Sequence, residues 1–153
     1  MTRYAAGTEI SIPRRREEIE RTLARYGCTA FGFAASGDKA QIVFELAGRR
    51  MRVDVPLPGR QDKAITHTAT GKKRSDGDQA RAFDQAARQR WAALSLYLKA
   101  VCEAIDNELV DAQTAFLPYV VLPDGQTLGE KIAPSIEAAY ASGTMPALMA
   151  GNG

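Results

Sequence analysis

At 153 residues and 16.5 kDa the chain fits one domain, or one domain with a short appendage, and has no room for a separate cofactor domain. With 45% hydrophobic and 25% charged residues it can bury a core, which excludes a disordered tail. No run approaches the roughly 18 consecutive apolar residues of a membrane span, and residues 1–12 lack the basic-then-apolar order of a leader. The expectation is a cytoplasmic protein with no membrane partner.

The net charge of +2 hides a lopsided distribution. Residues 1–99 hold 19 of the 20 Lys and Arg against 11 acids, a net +8, whereas residues 100–153 hold Lys131 alone against 7 acids, a net −6. Such polarity favours contact between the first part and a polyanion. The alternative is mutual attraction of the two ends across the fold or between subunits.

In chain order, Pro13 stands at a tolerated first helical position, and Ile19, Leu23 and Tyr26 recur at helical spacing up to Gly27. Arg14, Arg15 and Arg16 then lie at the wrong end for the helix dipole and read as a solvated helix end rather than a phosphate clamp. From Thr29 the period falls to two. Phe31 and Phe33, then Ile42, Phe44 and Leu46, then Met51, Val53 and Val55 alternate with small or polar residues, with turns at Ser36-Gly37-Asp38 and Ala47-Gly48. This predicts a three-stranded antiparallel meander with one apolar face that a helix must cover.

Residues 59–78 carry Arg60, Lys63, Lys72, Lys73 and Arg74 with almost no apolar side chain, which predicts a mobile basic loop with at most a weak strand at 65–70. Over residues 80–107 Phe83, Ala87, Leu94, Leu98, Val101 and Ile105 form a stripe widened by Trp91 and Tyr97, so a long helix is expected across the sheet. Beyond it, residues 119–122 are a short strand candidate and Pro123-Asp124-Gly125 is a turn. Thr127 and Glu130 have capping-box spacing, and a last helix over 134–140 should stop near Gly143. The fold class is α+β: an α-βββ-α core over residues 1–112, containing the basic loop, and an accessory segment over 113–153.

Every motif with a strong catalytic mechanism is missing, from phosphate-binding loops to paired-cysteine sites. Cys28 and Cys102 lie in apolar surroundings and read as reduced and buried, and His67, the single histidine, has no recognisable catalytic neighbour. Glu45 and Asp54 read as parts of a salt-bridged sheet surface rather than magnesium ligands. No cofactor, no metal and no enzymatic activity are expected. What remains is phosphate binding, for which Arg49, Arg50 and Arg52 on the last hairpin, Lys72, Lys73 and Arg74 in the loop, and Arg81 and Arg88 at the start of the long helix are the candidates. The path strand, hairpin, loop, helix would bring the three groups into one groove. Phe83, Trp91 and Tyr97, at helical spacing, read as core rather than as base-stacking residues.

Two resemblances bear on the setting. The segments Glu18-Ile19-Glu20-Arg21, Arg25-Tyr26-Gly27, Arg88-Gln89-Arg90-Trp91 and Val121-Leu122-Pro123-Asp124-Gly125, with the closing residues 140–148, resemble a family of small uncharacterised phage and prophage proteins. The helix, meander, basic connection and long helix are similar in architecture to the ring-forming single-strand annealing proteins of the Erf, Sak and Red-beta types. That likeness implies a homo-oligomer binding single-stranded DNA through the 49–52 hairpin and the 81–90 helix start, in recombination or replication. The alternative class is a phage-encoded protein-interaction module that docks on a host nucleoprotein defence complex.

Overall fold

The computed structural model describes residues 9–36 and 38–145. Gly37 of the expected first turn and residues 146–148 of the closing segment lie outside the described residues. Helix α1 (Ile12–Ala24) is started by the Ser11 side chain, which accepts from the Arg14 amide, and by Pro13 in its first turn. Gly27 then takes φ +84°, open to a residue without Cβ, and reverses the chain into the sheet.

Strands β1 (Thr29–Ser36), β2 (Lys39–Leu46) and β3 (Arg49–Pro56) form the expected meander in the order β1-β2-β3, antiparallel throughout. The β2–β3 turn places both Ala47 (φ 52°) and Gly48 (φ 76°) in the left-handed region, as a tight hairpin matching strand twist requires. Register pairs Phe33 with Ile42 and Ile42 with Val53, so one face carries Phe31, Phe33, Ile42, Phe44, Met51 and Val53. The opposite face carries Gly32, Ala34, Gln41, Val43, Glu45, Arg50, Arg52 and Asp54. Of the two acids read as parts of a salt-bridged surface, Asp54 accepts from Gln41 at 3.0 Å and pairs with Lys39 and Arg52, whereas Glu45, opposite Arg50, has no cation within 4.0 Å among the described residues.

Helix α3 (Asp76–Asp106) starts four residues earlier than the apolar stripe suggests, because the Ser75 side chain accepts from the Asp78 amide. Its Trp91 and Leu98 join Ile19 and Leu23 of α1 beneath the sheet. Arg16 meets Trp91, Glu18 meets Lys99, and the Tyr26 hydroxyl donates to Asp106 at 2.7 Å, so α1 and α3 lie side by side and run in the same direction.

One expectation for this layer is corrected. Arg15 is buried and paired with Glu18, and the Arg16 guanidinium lies 4.9 Å from the Trp91 ring centre and 5.4 Å from that of Phe33. The arginine triplet is therefore partly inside the fold, its stems covering the rim of the aromatic core.

The segment after β3 is also built differently from a structureless loop. Helix α2 (Lys63–Thr66) buries Ile65, His67 bridges Lys73, and the Thr68 and Arg74 amides donate to the Lys72 and Thr66 carbonyls. The weak strand at 65–70 reduces to that single bridge. One anchor is apolar, Ile65. The others are backbone carbonyls and the Arg60 side chain, 4.0 Å over the Phe83 ring, so a scan for apolar residues undercounts them.

After α3 come α4 (Ala112–Ala115), a 3₁₀ turn at Leu117–Tyr119 and α5 (Leu128–Ser142). Phe116, fully buried, sets its ring edge-on to Phe44 and ties this segment to the core. The strand candidate at 119–122 amounts to bridge residues: Val120 opposite Met51, and Val121, whose amide donates to the Arg50 carbonyl at 2.8 Å. The Thr127 and Glu130 capping box is present in both directions, and it starts α5 at Leu128 rather than at 134, with Pro134 accommodated within the helix. Among the described residues no helix is long and apolar enough to cross a membrane.

Candidate nucleic-acid interface

Strand geometry decides where the basic residues go. Seven steps of about 3.3 Å put the two ends of β3 roughly 23 Å apart. Arg49 and Arg50 stand at its start, beside the turn to β2 and opposite Leu46 and Glu45. Its last residue, Pro56, stands opposite Lys39, and the Leu57 amide donates to the Asp38 carbonyl at 2.7 Å. The basic segment therefore leaves from the far end of the sheet, and the expected convergence of hairpin, loop and helix in one groove does not occur.

At that far end a lobe forms from residues 57–90, with eight Lys and Arg against four acids. Lys72 and Lys73 stand exposed at its tip. The Lys72 amide donates to the Thr68 hydroxyl at 3.1 Å, and Gly71, at φ +87°, turns the tip back on itself. Lys63 is exposed on α2 and Arg60 beside it. Lys63, Lys72 and Lys73 have no carboxylate within 4.0 Å among the described residues. Arg81, also exposed, pairs with Asp78 in the first turn of α3, where hydrogen bonds from Arg81 and Ser75 hold the Asp78 carboxyl below the usual range. Arg88 is half-buried, its guanidinium donating to Gln85 at 2.8 Å.

Two candidates are committed within the fold. Arg74 donates to the carbonyls of Ala64 and Ile65 at 2.8 and 3.1 Å, closing the last turn of α2. Arg52 donates to both Glu130 oxygens at 2.7 Å and to the Gly125 carbonyl at 2.9 Å. The Thr127 amide first and Arg52 second hold the Glu130 carboxyl below the usual range. One acid of the C-terminal third is thereby spent on the basic part of the same chain, as the attraction between the two ends would have it.

The opposite end of the molecule has the reverse sign. Residues 100–115 carry Glu103, Asp106, Glu108 and Asp111 and no Lys or Arg, and Asp106 accepts from Tyr26 where α1 hands over to β1. Along α3, about 46 Å long, charge thus runs from positive to negative. Sequence reasoning placed Arg60 and Lys63 in the basic loop but left them out of the phosphate-binding candidates, and it missed Arg16 as the cap on Trp91. The first two were legible from composition; for Arg16 the one signal was its position in the first turn of an amphipathic helix.

Of the three aromatics read as core, Trp91 and Phe83 are buried, whereas Tyr97 is exposed (45%) and its hydroxyl shares a hydrogen bond of 2.9 Å with that of Tyr119. Cys28 and Cys102 are free and buried, and burial pushes the Cys28 thiol up to about 11. His67 contacts the Thr66 hydroxyl through Nδ1 at 2.7 Å. No cluster of three or more His, Cys, Asp or Glu side chains able to hold a metal ion is present among the described residues. Comparison with protein-family models, curated proteins and solved structures finds no match.

Proposed function

We propose that the protein is a non-enzymatic nucleic-acid-binding protein that holds single-stranded DNA by its phosphates, through the lobe of residues 57–90, as an accessory in phage recombination or replication. The observation that carries this reading is the exposure of Lys63, Lys72 and Lys73 on one lobe with no carboxylate to neutralise them, beside Arg60 and Arg81. Phosphate recognition needs cations held at a surface, and the burial of Phe83 and Trp91 leaves base stacking a small part. Affinity should accordingly be insensitive to sequence. The test is the salt dependence of binding to a single-stranded oligonucleotide. Log affinity falls with log salt by about 0.7 per phosphate contacted, so Lys72→Ala with Lys73→Ala flattens the slope by roughly 1.4. Failure of the parent to bind at low salt overturns the proposal.

A second reading, a module that docks on a host protein, is favoured by one feature. Leu117, Pro118, Leu128, Ile132, Ala133 and Ile136 line an almost wholly apolar groove of about 240 Å³. Ile136→Asp separates the two readings, since it leaves oligonucleotide binding intact and disables a partner that uses the groove.

A further inference from the structure

The two edges of the three-stranded sheet are treated differently. On the β3 side, Val120 and Val121 cover the half nearest the hairpin, through the Met51 bridge and the bond from the Val121 amide to the Arg50 carbonyl. On the β1 side no described strand pairs. An uncovered edge presents a row of backbone donors and acceptors, and folded proteins ordinarily blunt it with charge, proline or a short strand. β1 has eight residues, Thr-Ala-Phe-Gly-Phe-Ala-Ala-Ser, with no charge and no proline. Its one irregularity lies between Thr29 and Gly32, with Ala30 at φ 55°, and the ladder to β2 is regular from Gly32 to Ser36. Ala34, Ala35 and Ser36 in that regular part are exposed.

We propose that two copies of this chain pair antiparallel through β1, giving a closed six-stranded dimer. The regular stretch has Ala34 at its centre. A two-fold axis there sets Ala34 against Ala34, Phe33 against Ala35 and Gly32 against Ser36 of the second copy. Large side chains then meet small ones, and both phenylalanines stay on the helix-covered face. The uncharged edge fits an identical edge and is a poor fit to a charged peptide. A ring in which β1 of one copy meets β3 of the next finds only the half of β3 beyond Val120 and Val121 open, whereas β1 is open to a second β1 over its whole regular stretch, so the geometry favours an isologous dimer, which closes at two.

The experiment uses the full chain and two variants, Ala34→Lys and Ala34→Glu, each exposed and harmless in a monomer but opposite its own like charge across the axis. Light scattering at micromolar concentrations should give twice 16.5 kDa for the parent. Each variant alone should dimerise roughly tenfold more weakly, and an equimolar mixture should regain the parental mass. A parent that stays monomeric, variants that dimerise as well as the parent, or a mixture that is no better than its components overturns the proposal. Hydrogen exchange on the parent supplies the check that needs no substitution. Protection of the Phe33 and Ala35 amides, which face away from β2, must rise with protein concentration, and protection of these two independent of concentration also overturns it.

Discussion

Replacing Arg52 and Glu130 singly and together measures how the C-terminal segment is held. The pair is bidentate, with Arg52 at 18% and Glu130 at 40% side-chain exposure. Freely exposed ion pairs contribute about 0.2–1 kcal/mol, and this one, half sheltered and fixed at both oxygens, belongs at the upper end, near 1 kcal/mol. Glu130→Gln is the informative change because glutamine at this position still accepts from the Thr127 amide and so preserves the capping box. It should cost about 1 kcal/mol, a fall of roughly 2–4 °C in Tm for a chain of this size. Arg52→Ala also loses the bond to the Gly125 carbonyl and the cover of its stem, for about 2 kcal/mol in all. The double variant should cost no more than Arg52→Ala alone, because the glutamate has no second cation to lose. Urea denaturation gives the three values, and hydrogen exchange should show the opening confined to α5, which has no buried residue. Additive single effects, or an Arg52→Ala variant within about 0.3 kcal/mol of the parent, would refute the reasoning.

Phe116→Ala removes a fully buried ring from its edge-on contact with Phe44 and should cost about 3–5 kcal/mol by thermal or urea unfolding, whereas the neighbouring Leu117→Ala, at an exposed position, should cost less than about 1. Acid should weaken the fold through Glu18 and Glu130. Hydrogen bonds from Lys99 and then Arg15 lower the first, and those from the Thr127 amide and then Arg52 lower the second, both below 4.5. A carboxyl depressed in the folded state stabilises it above the unfolded value and loses that contribution as pH falls through the folded one. Urea midpoints should therefore drop below pH 4.5 in the parent and drop less in a variant with Gln at both positions; parallel curves would remove these two groups from the account.

The meander and the long helix were legible because their signals are periodic: alternation of Phe, Ile and Val with Gly, Arg and Asp, then a stripe from Phe83 to Ile105. The lobe was not, because its order comes from backbone carbonyls taken up by Arg74 and from Arg60 lying on Phe83, contacts that composition counts as free charge. Arg52 misled for a related reason. Position on a polar strand face says that a cation is available, and only the arrival of Glu130, 78 residues later, says by what it is satisfied. The distance between hairpin and lobe was in principle available, since eight residues of strand must separate their ends; reading the basic groups as convergent ignored that length.

Trp91 is the single tryptophan, fully buried, and its ring neighbours Phe33 and Arg16 belong to β1 and α1. Its ultraviolet emission is therefore a built-in optical probe of one seam, where the sheet, α1 and α3 meet. Loosening of α5 should pass unseen in that signal while it alters the environment of Tyr97 and Tyr119. Folding of the body of the chain can thus be followed through this one residue without attaching a dye.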